Sequence, residues 1–305
     1  MVSVVMNCRN GEKYMRAAID SVYAQTHRDW ELIFFDNASG DASADIARSF
    51  GDRIRYFHSA TPLTLGAARN LALKEAKGEQ VAFLDSDDIW LPDKLKEQME
   101  LFSDREVGLV FCDAIYFNDA GMRRRLYSHR PYATGQCFGM LIQDYFLCMS
   151  TVIIRRQCLD GEAVWFDDRF ELVEDGDLFT RIAHGWELDM APQALVEYRV
   201  HFESSSWRRR EAWADEKMLM IDGFRNRYPG FDLKFGKELR VLNQTLSIEK
   251  AMFHFQSGKT DAARRCLWPH IPFNVRALVL YLLALLPWDL GNTLIRWLRR
   301  GIVPS

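Results

Sequence analysis

The strongest constraint on the fold is the alternation of short apolar runs with longer helical patterns through residues 1–114. Such alternation is typical of βαβ units, which build a mostly parallel sheet flanked by helices. In these sheets ligands bind beyond the carboxyl ends of the strands. The predicted strands are VSVVM (2–6), ELIFF (31–35), IRYFH (54–58), QVAFL (80–84) and VGLVFCDA (107–114).

Polar residues follow three of these predicted strands directly, so we expect them to share one edge of the sheet. The sequence therefore predicts a ligand site there. The residues are Asn7, Cys8 and Arg9, then Asp36, Asn37 and Ser39, then Asp85, Ser86, Asp87 and Asp88.

The βαβ pattern weakens after Asp113, and from Ser204 onward the sequence has helical periodicity only. Further strands are expected at residues 150–156 and 194–200, and a short helix at 174–184. We predict an α/β domain over residues 1–203 and a helical C-terminal extension over residues 204–305.

Composition excludes some classes of protein. The 39 Lys and Arg against 42 Asp and Glu give a net charge of −3, which does not favour nucleic-acid binding. The six cysteines are scattered without a C-x-x-C pair, so a reducing compartment is expected rather than a disulfide framework. The first residues resemble a strand and not a signal peptide. We therefore expect a cytoplasmic protein.

The segment FLDSDDIWLPDK (83–94) places three carboxylates, Asp85, Asp87 and Asp88, behind an apolar strand. Oxygen ligands in such a cluster suit Mg²⁺ or Mn²⁺. The alternative is a helix N-terminus, where aspartates are favoured by capping and by the helix dipole. Asp88 and Asp93 fit that alternative, because Pro92 is expected to open a helix. The loop does not match an EF-hand, and the sequence has neither a P-loop nor a dinucleotide fingerprint.

Three stretches together resemble the inverting family 2 glycosyltransferases. They are SVVMNCRNGEKYMRAAIDSVYAQTHRDWELIFFDNASGDAS near the N-terminus, LGAARNLALKEAKGEQVAFLDSDDIWLPDKL in the middle and EDGDLFTRI after residue 173. The resemblance reaches to about His201 and implies the GT-A fold, a Rossmann-like sheet of nucleotide-diphospho-sugar transferases.

The resemblance also implies a donor site and a metal site. Asp85-Ser86-Asp87 matches the D-x-D motif of the family, in which Asp87 would bind Mn²⁺ or Mg²⁺ and Asp85 would lie near the donor ribose. The other residues implied in donor binding are Asn7, Cys8, Arg9, Asp36, Asn37, Ser86 and Arg69. Asn37 departs from the common pattern, which has a second Asp that contacts the base, so the nucleotide is left open.

Asp175 matches the catalytic base of the family, and Glu174 its acidic neighbour. Inverting transfer requires a carboxylate that takes the proton of the acceptor hydroxyl. The alternative for these acids is a favourable position at the start of a helix. His201 matches a histidine that contacts the metal or the diphosphate in some relatives, whereas a lone His after a strand is more often structural.

The function expected from the resemblance is transfer of a sugar from a nucleotide-diphosphate sugar to a glycan or lipid-linked glycan, in bacterial polysaccharide or glycoconjugate synthesis. Two alternatives stay open. One is a metal-dependent phosphohydrolase that uses the first Asp as nucleophile, and the other is a non-catalytic nucleotide-sugar-binding protein.

The C-terminal segment contains the apolar run ALVLYLLALLPW (277–288), which is too short to cross a bilayer. Arg296, Arg299 and Arg300 follow it. Two readings remain: a helical pair packed on its own domain, or a peripheral contact of residues 274–300 with the inner face of the membrane.

Overall fold

A computed structural model describes residues 1–127, 133–201 and 212–299 of the chain. It divides into two compact units, one formed by Met1–Leu141 and Tyr145–Arg208, the other by Ile142–Asp144 and Arg209–Ser305. The boundary expected near Ser204 lies outside the described residues, and the division at residues 203 and 204 stays a prediction.

Strands and helices alternate through the first part of the chain as the apolar pattern predicts. The strands are β1 (Val2–Cys8), β2 (Trp30–Asp36), β3 (Ile54–His58), β4 (Gln80–Phe83), β5 (Ile89–Trp90), β6 (Val107–Phe117), β7 (Arg123–Arg125), β8 (Ile153–Arg155) and β9 (Glu187–Arg199). The helices are α1 (Met15–Tyr23), α2 (Ser43–Arg48), α3 (Leu65–Lys74), α4 (Lys94–Leu101), α5 (Phe138–Gln143) and α6 (Glu174–Gly185).

The strands form one mixed sheet in the order β3-β2-β1-β4-β8-β6-β9-β5, and β7 pairs with β6. The half made of β3, β2, β1 and β4 is parallel. Strand β8 lies antiparallel between β4 and β6, so β6 does not continue the parallel run beside β4. The sheet is that of the predicted α/β class, and this insertion is the feature that the sequence pattern does not reveal.

The core of this unit forms where the central strands meet the helices. Val4 of β1 pairs with Leu32 of β2 and with Ala82 of β4, and all three side chains are fully buried. Helix α1 buries Met15, Ala18, Ile19 and Val22, which share one helical face. This packing fixes the parallel strands whose ends carry the polar residues.

The helix expected after the acidic cluster is present, but its start differs from the prediction and Asp93 does not cap it. The helix expected from Pro92 begins at Lys94, and the short strand β5 stands between the acidic cluster and that helix. Asp93 precedes the helix without capping it, because its carboxylate accepts a hydrogen bond from Thr26 instead (2.8 Å).

The second unit is helical, as expected. Its helices are α7 (Trp213–Arg227), α8 (Phe231–Lys234), α9 (Gly236–Gln256), α10 (Thr260–Leu267), α11 (Val275–Leu283) and α12 (Trp288–Arg299). A small core includes Ala251 and Phe255 of α9, Ala263 of α10 and Ala277 of α11. Among the described residues, no helix combines the length and the apolar character that crossing a membrane requires.

Candidate active site

The carboxyl ends of β1, β2 and β4 lie side by side because these strands are parallel neighbours. The last residues of β1 and β2, Cys8 and Asp36, are paired, and Val5 of β1 pairs with Phe83 at the end of β4. The polar residues that follow the three strands therefore reach the same edge of the sheet.

The loops after β1 and β2 are joined to each other by hydrogen bonds, and each loop contains one residue with left-handed backbone. Asn10 and Ala38 have φ of 56° and 55°, a conformation that costs free energy for a residue with a Cβ atom. The Asn10 N–H donates to Ser39 Oγ (3.0 Å), and the Gly40 N–H donates to Asn10 Oδ1 (2.8 Å). These contacts connect the two loops at this edge of the sheet.

Asp36 is held by two donors at the end of β2. The Tyr56 hydroxyl donates to its Oδ2 (2.8 Å), and the Ser39 N–H donates to its Oδ1 (2.9 Å). Burial, reinforced by the hydrogen bond to Asp36, raises the pKa of Tyr56 to about 12, so the phenol remains a donor. The structure thus orients the Asp36 carboxylate, whose part in donor binding stays a prediction.

Both the nitrogen and the oxygen of the Asn37 side-chain amide form hydrogen bonds with the backbone of Leu63. Its Nδ2 donates to the Leu63 carbonyl (3.0 Å), and its Oδ1 accepts the Leu63 N–H (2.8 Å). A carboxylate at this position could not donate to the carbonyl. The departure from the common family pattern therefore has a structural reason in this chain.

The remaining strand-end residues occupy different environments. Cys8 is buried beside Ser43, and burial raises the pKa of its thiol to about 11. Arg9 is exposed, and Ser86 is half-buried. The Asn7 Nδ2 is buried without a hydrogen-bond partner among the described residues, so it is a donor that a ligand could satisfy.

The aspartates of the acidic cluster differ in their hydrogen-bond partners and in their burial. Asp85 accepts from Arg69 Nη2 (2.9 Å) and lies partly exposed, whereas Asp88 is buried. Asp88 accepts the hydroxyl of Ser150 (2.6 Å) and the backbone N–H of Arg199 (2.9 Å). The expectation that Asp88 helps to start a helix is therefore wrong. Burial, with repulsion from Asp87, raises the pKa of Asp88 well above its usual range.

Asp87 and His201 form the candidate metal site. His201 Nε2 lies 2.8 Å from Asp87 Oδ2, and the His201 Nδ1 is buried without a hydrogen-bond partner among the described residues. Within residues 1–127, 133–201 and 212–299, no group of three or more His, Cys, Asp or Glu side chains is arranged so that it could hold a metal ion by itself. Two protein ligands fit Mg²⁺ or Mn²⁺, because such ions often complete their coordination with substrate phosphates and water.

Arg69 connects the acidic cluster to the second acidic motif. Its guanidinium is buried and forms ion pairs with Asp85 and, at short range, with Glu174 Oε1. Burial raises the pKa of Glu174 to about 7; the charge of Arg69 opposes the shift and that of Asp175 adds to it. Residues that are 105 positions apart thus share one buried ion network.

Asp175 stands in the first turn of α6, next to Glu174. The Tyr145 hydroxyl donates to its Oδ2 (2.9 Å), and the Gly176 N–H donates to its Oδ1 (2.7 Å). Burial and the neighbouring Asp175 charge raise the pKa of Tyr145 well above its usual range, so the phenol keeps its proton. The carboxylate is therefore oriented at the position where the motif predicts the base.

Sequence reasoning did not select three residues that support this site: Tyr145, Ser150 and Arg199. Ser150 is the first residue of the predicted strand at 150–156, and Arg199 lies near the end of the one at 194–200, so strand ends were the signal that could have found them. Tyr145 has no pattern of its own, since its role depends on the tertiary contact with Asp175.

Comparison with known proteins identifies the class to which this fold and site belong. A sequence model of glycosyl transferase family 2 matches residues 3–161, more than half of the chain. The chain belongs to glycosyl transferase family 2, and its fold is GT-A. The mannosyltransferase PcManGT from Pyrobaculum calidifontis, solved with GDP-Man and Mn²⁺, aligns with a TM-score of 0.62 over 92% of this chain and 77% of that one, at 17% identity.

Two sequence relatives add detail. An uncharacterized glycosyltransferase of Rickettsia typhi is 28% identical over 66% of this chain and 64% of its own length. The Escherichia coli protein WfgD, named UDP-Glc:alpha-D-GlcNAc-diphosphoundecaprenol beta-1,3-glucosyltransferase, is 37% identical over 36% of this chain and 44% of its own length. The chain thus spans less than two thirds of either relative.

Proposed function

We propose that this chain transfers a sugar from a nucleotide-diphosphate sugar to an acceptor hydroxyl, with inversion at the anomeric carbon. The observation that carries the proposal is the buried network in which Arg69 joins Asp85 to Glu174. It connects the motif expected to bind the donor with the helix that presents Asp175. A carboxylate base close to a donor site is what inverting transfer requires.

Asp175 acts as the general base in this mechanism. Its carboxylate takes the proton of the acceptor hydroxyl while the acceptor oxygen bonds to the anomeric carbon. The bond between that carbon and the diphosphate oxygen breaks on the opposite face, which inverts the configuration. Tyr145 and the Gly176 N–H hold the carboxylate in orientation by donating to its two oxygens.

The donor lies at the sheet edge in this proposal. Asp87 and His201 would hold Mn²⁺ or Mg²⁺, which when bound neutralises charge on the leaving diphosphate. The residues proposed to contact the nucleotide are Asn7, Arg9, Asp36, Asp85 and Ser86, with Cys8 and Asn37 shaping the edge. The GDP-Man and Mn²⁺ of the Pyrobaculum structure support this type of donor and metal.

We propose a glycan or lipid-linked glycan as acceptor, on the cytoplasmic side of the membrane in bacterial polysaccharide synthesis. The name of the Escherichia coli relative supports it, since it specifies a sugar on diphosphoundecaprenol.

The base is tested by the substitution Asp175→Asn. We expect kcat for transfer to fall by about 10²- to 10⁴-fold, the usual contribution of a general base. Asp168→Asn is the control, because Asp168 is an exposed carboxylate before the same helix. Transfer at the wild-type rate by the Asp175 variant would contradict the mechanism.

The donor is found by thermal shift with UDP, GDP and their sugar conjugates, each with and without Mn²⁺. A ligand that binds the folded state raises stability by RT ln(1 + [L]/Kd), so the correct nucleotide should raise Tm most when Mn²⁺ is present. Release of nucleotide or phosphate without glycosyl transfer would favour the phosphohydrolase. Binding of a sugar nucleotide with no turnover would favour the non-catalytic alternative.

A membrane contact through residues 274–300 belongs to the same proposal. Six apolar side chains of the second unit, which we call the C-terminal apolar set, are each more than half exposed: Trp268, Phe273, Val275, Leu282, Leu285 and Leu290. Residues 274–300 contain four arginines and one aspartate. Apolar side chains with an excess of arginine suit the interface of an anionic membrane.

Sedimentation with lipid vesicles tests this contact. We expect the chain to sediment with vesicles that contain phosphatidylglycerol, less with pure phosphatidylcholine, and to be released by salt. The triple change Phe273→Ser, Val275→Ser and Leu282→Ser should abolish binding. Leu233→Ser is the control, because Leu233 is 93% exposed in α8. If the triple change instead dissociates a dimer in analytical ultracentrifugation, the set binds a second copy and the membrane proposal fails.

A further inference from the structure

Arg69 has surroundings that a direct contact with a bound donor does not explain. Its side chain is only 6% exposed, with one guanidinium nitrogen on Asp85 and another on Glu174. The guanidinium also lies over the ring of Phe166, 5.7 Å from its centroid. Most of its interacting surface is therefore already used within the protein.

The ion network around Arg69 is expected to add little net stability to the fold. Two carboxylates share one buried cation, and the second oxygen of Glu174 is buried without a hydrogen-bond partner among the described residues. Buried ion pairs often stabilise a fold no better than apolar side chains of similar size would. The arrangement therefore points to a requirement for geometry rather than for stability.

The neighbouring residue on α3 makes a second connection to the same region. Asn70 Nδ2 donates to the Phe166 carbonyl (2.7 Å), and the Phe166 N–H donates to Asn70 Oδ1 (2.9 Å). Gly66, one turn earlier, packs closely enough that a Cβ atom there would lie 3.3 Å from the Asp167 carbonyl oxygen. Helix α3 is thus fixed to the segment before α6, while Arg69 is fixed to the first turn of α6 itself.

We propose that Arg69 is a positioning residue that sets the distance between the donor motif and the base. By holding Asp85 on one side and Glu174 on the other, it places Asp175, the next residue, against the donor edge. The inference rests on the proposed function, because it takes Asp175 as the base. It differs from the role implied by family resemblance, in which Arg69 contacts the donor directly.

The variant Arg69→Lys tests this role, because it keeps the charge but loses the fork that reaches two carboxylates. We expect kcat to fall about 10²-fold, as for a displacement of about 1 Å at a reacting group, and the donor KM to stay within about threefold. The control is Arg55→Lys. Arg55 also bridges two carboxylates, Glu31 and Glu75, and none of these three residues belongs to α6 or to the acidic cluster. Its kcat should stay close to wild type while its Tm falls comparably.

A double-mutant cycle with Glu174→Gln separates positioning from general damage. If both residues act through one contact, the double variant should lose no more kcat than the worse single variant. In hydrogen exchange followed by mass spectrometry, Arg69→Lys should also accelerate exchange in peptides that contain Asp175. This second measurement requires neither donor nor activity.

Three results would overturn the inference. A raised donor KM with unchanged kcat would make Arg69 a donor contact, additive losses in the cycle would make the two residues independent, and equal kcat losses in both lysine variants would make the effect structural. Failure of the proposed function would give a different experimental result. In that case Asp175→Asn retains transfer whatever the Arg69 variants do.

Discussion

The two units of this molecule differ in the kind of residue whose burial is unusual. The sheet unit buries the charged residues Arg69, Lys94 and Glu174. The helical unit leaves Phe273 and Val275 exposed by 79% and 78%. Charged residues are rarely buried unless paired, and contiguous exposed apolar residues often mark an interaction surface.

The difference shows where each unit departs from the arrangement that would be best for stability alone. In the sheet unit, the buried Arg69 holds Asp85 and Glu174 by ion pairs. In the helical unit, apolar side chains stay available to a partner. Departures of this kind are expected at functional sites, and each can be tested against the ordinary packing beside it.

The largest expected effect compares one leucine from each unit. Leu32→Ala removes a fully buried side chain of β2, so we expect a loss of about 2–5 kcal/mol in the free energy of unfolding. Leu282 is 52% exposed, so Leu282→Ala should change it by less than about 0.5 kcal/mol. Urea denaturation measures both, and a large loss for Leu282→Ala would mean that its surface is covered in solution.

The second prediction concerns the two hydrogen bonds that the Asn37 amide forms with the backbone of Leu63. Asn37→Asp removes the donor to the Leu63 carbonyl and buries a charge, which should cost about 1–3 kcal/mol. Asn243→Asp, at an exposed position in α9, provides the control and should be nearly neutral. If the Asn37 variant is as stable as wild type, these two hydrogen bonds do not contribute to the stability of the fold.

The third prediction uses the pKa of Glu174, which burial raises to about 7 from its ordinary 4.5. Between these pH values the folded state keeps a proton that the unfolded chain has released, so stability from this group falls as pH rises. The slope is at most about 1.4 kcal/mol per pH unit. Glu174→Gln should flatten the pH dependence of stability in this window, and an unchanged slope would contradict the assignment.

The smallest change in stability is expected when Lys94 is substituted. Lys94 is fully buried, with its Nζ 4.1 Å from the centre of the Trp90 ring. Burial lowers the pKa of Lys94 to about 8 from its ordinary 10.5. Between these values the unfolded chain binds a proton that the folded chain lacks, so stability from this group rises with pH.

Lys94→Met should remove that rise and change stability at pH 7 by less than about 1.5 kcal/mol, as for other volume-conserving exchanges. Chemical denaturation at pH 7 and pH 9.5 checks both expectations. A large loss at pH 7 would show that the ammonium has a required partner.

The sequence predicts the strands and helices of the first unit well, because short apolar runs reflect strands buried on both faces and helical patterns reflect helices buried on one face. It also predicts which residues meet at the sheet edge, since parallel strands end on the same side. It does not predict what each residue does there. Asp88 looks like a capping residue in the sequence, yet its partners Ser150 and Arg199 lie 62 and 111 positions later.

The same limit applies to Asn37 and Arg69. The amide of Asn37 meets Leu63 only after a loop of 26 positions has closed, and Arg69 meets Glu174 across 105 positions. Side-chain pairings over such distances depend on the packed fold and leave no local pattern. The position of these residues at the site could therefore be predicted, whereas their partners within it required the structure.

The partners of Asp88 also determine when the site can form during synthesis. Arg199 is made 111 residues after Asp88, which at about 5–20 residues per second corresponds to roughly 6–22 s. Until then Asp88 lacks the backbone N–H that it accepts in the folded chain. The residues of the parallel strands β1 to β4 are made earlier, so the nascent chain contains the framework of the candidate site before it contains all the partners that complete it.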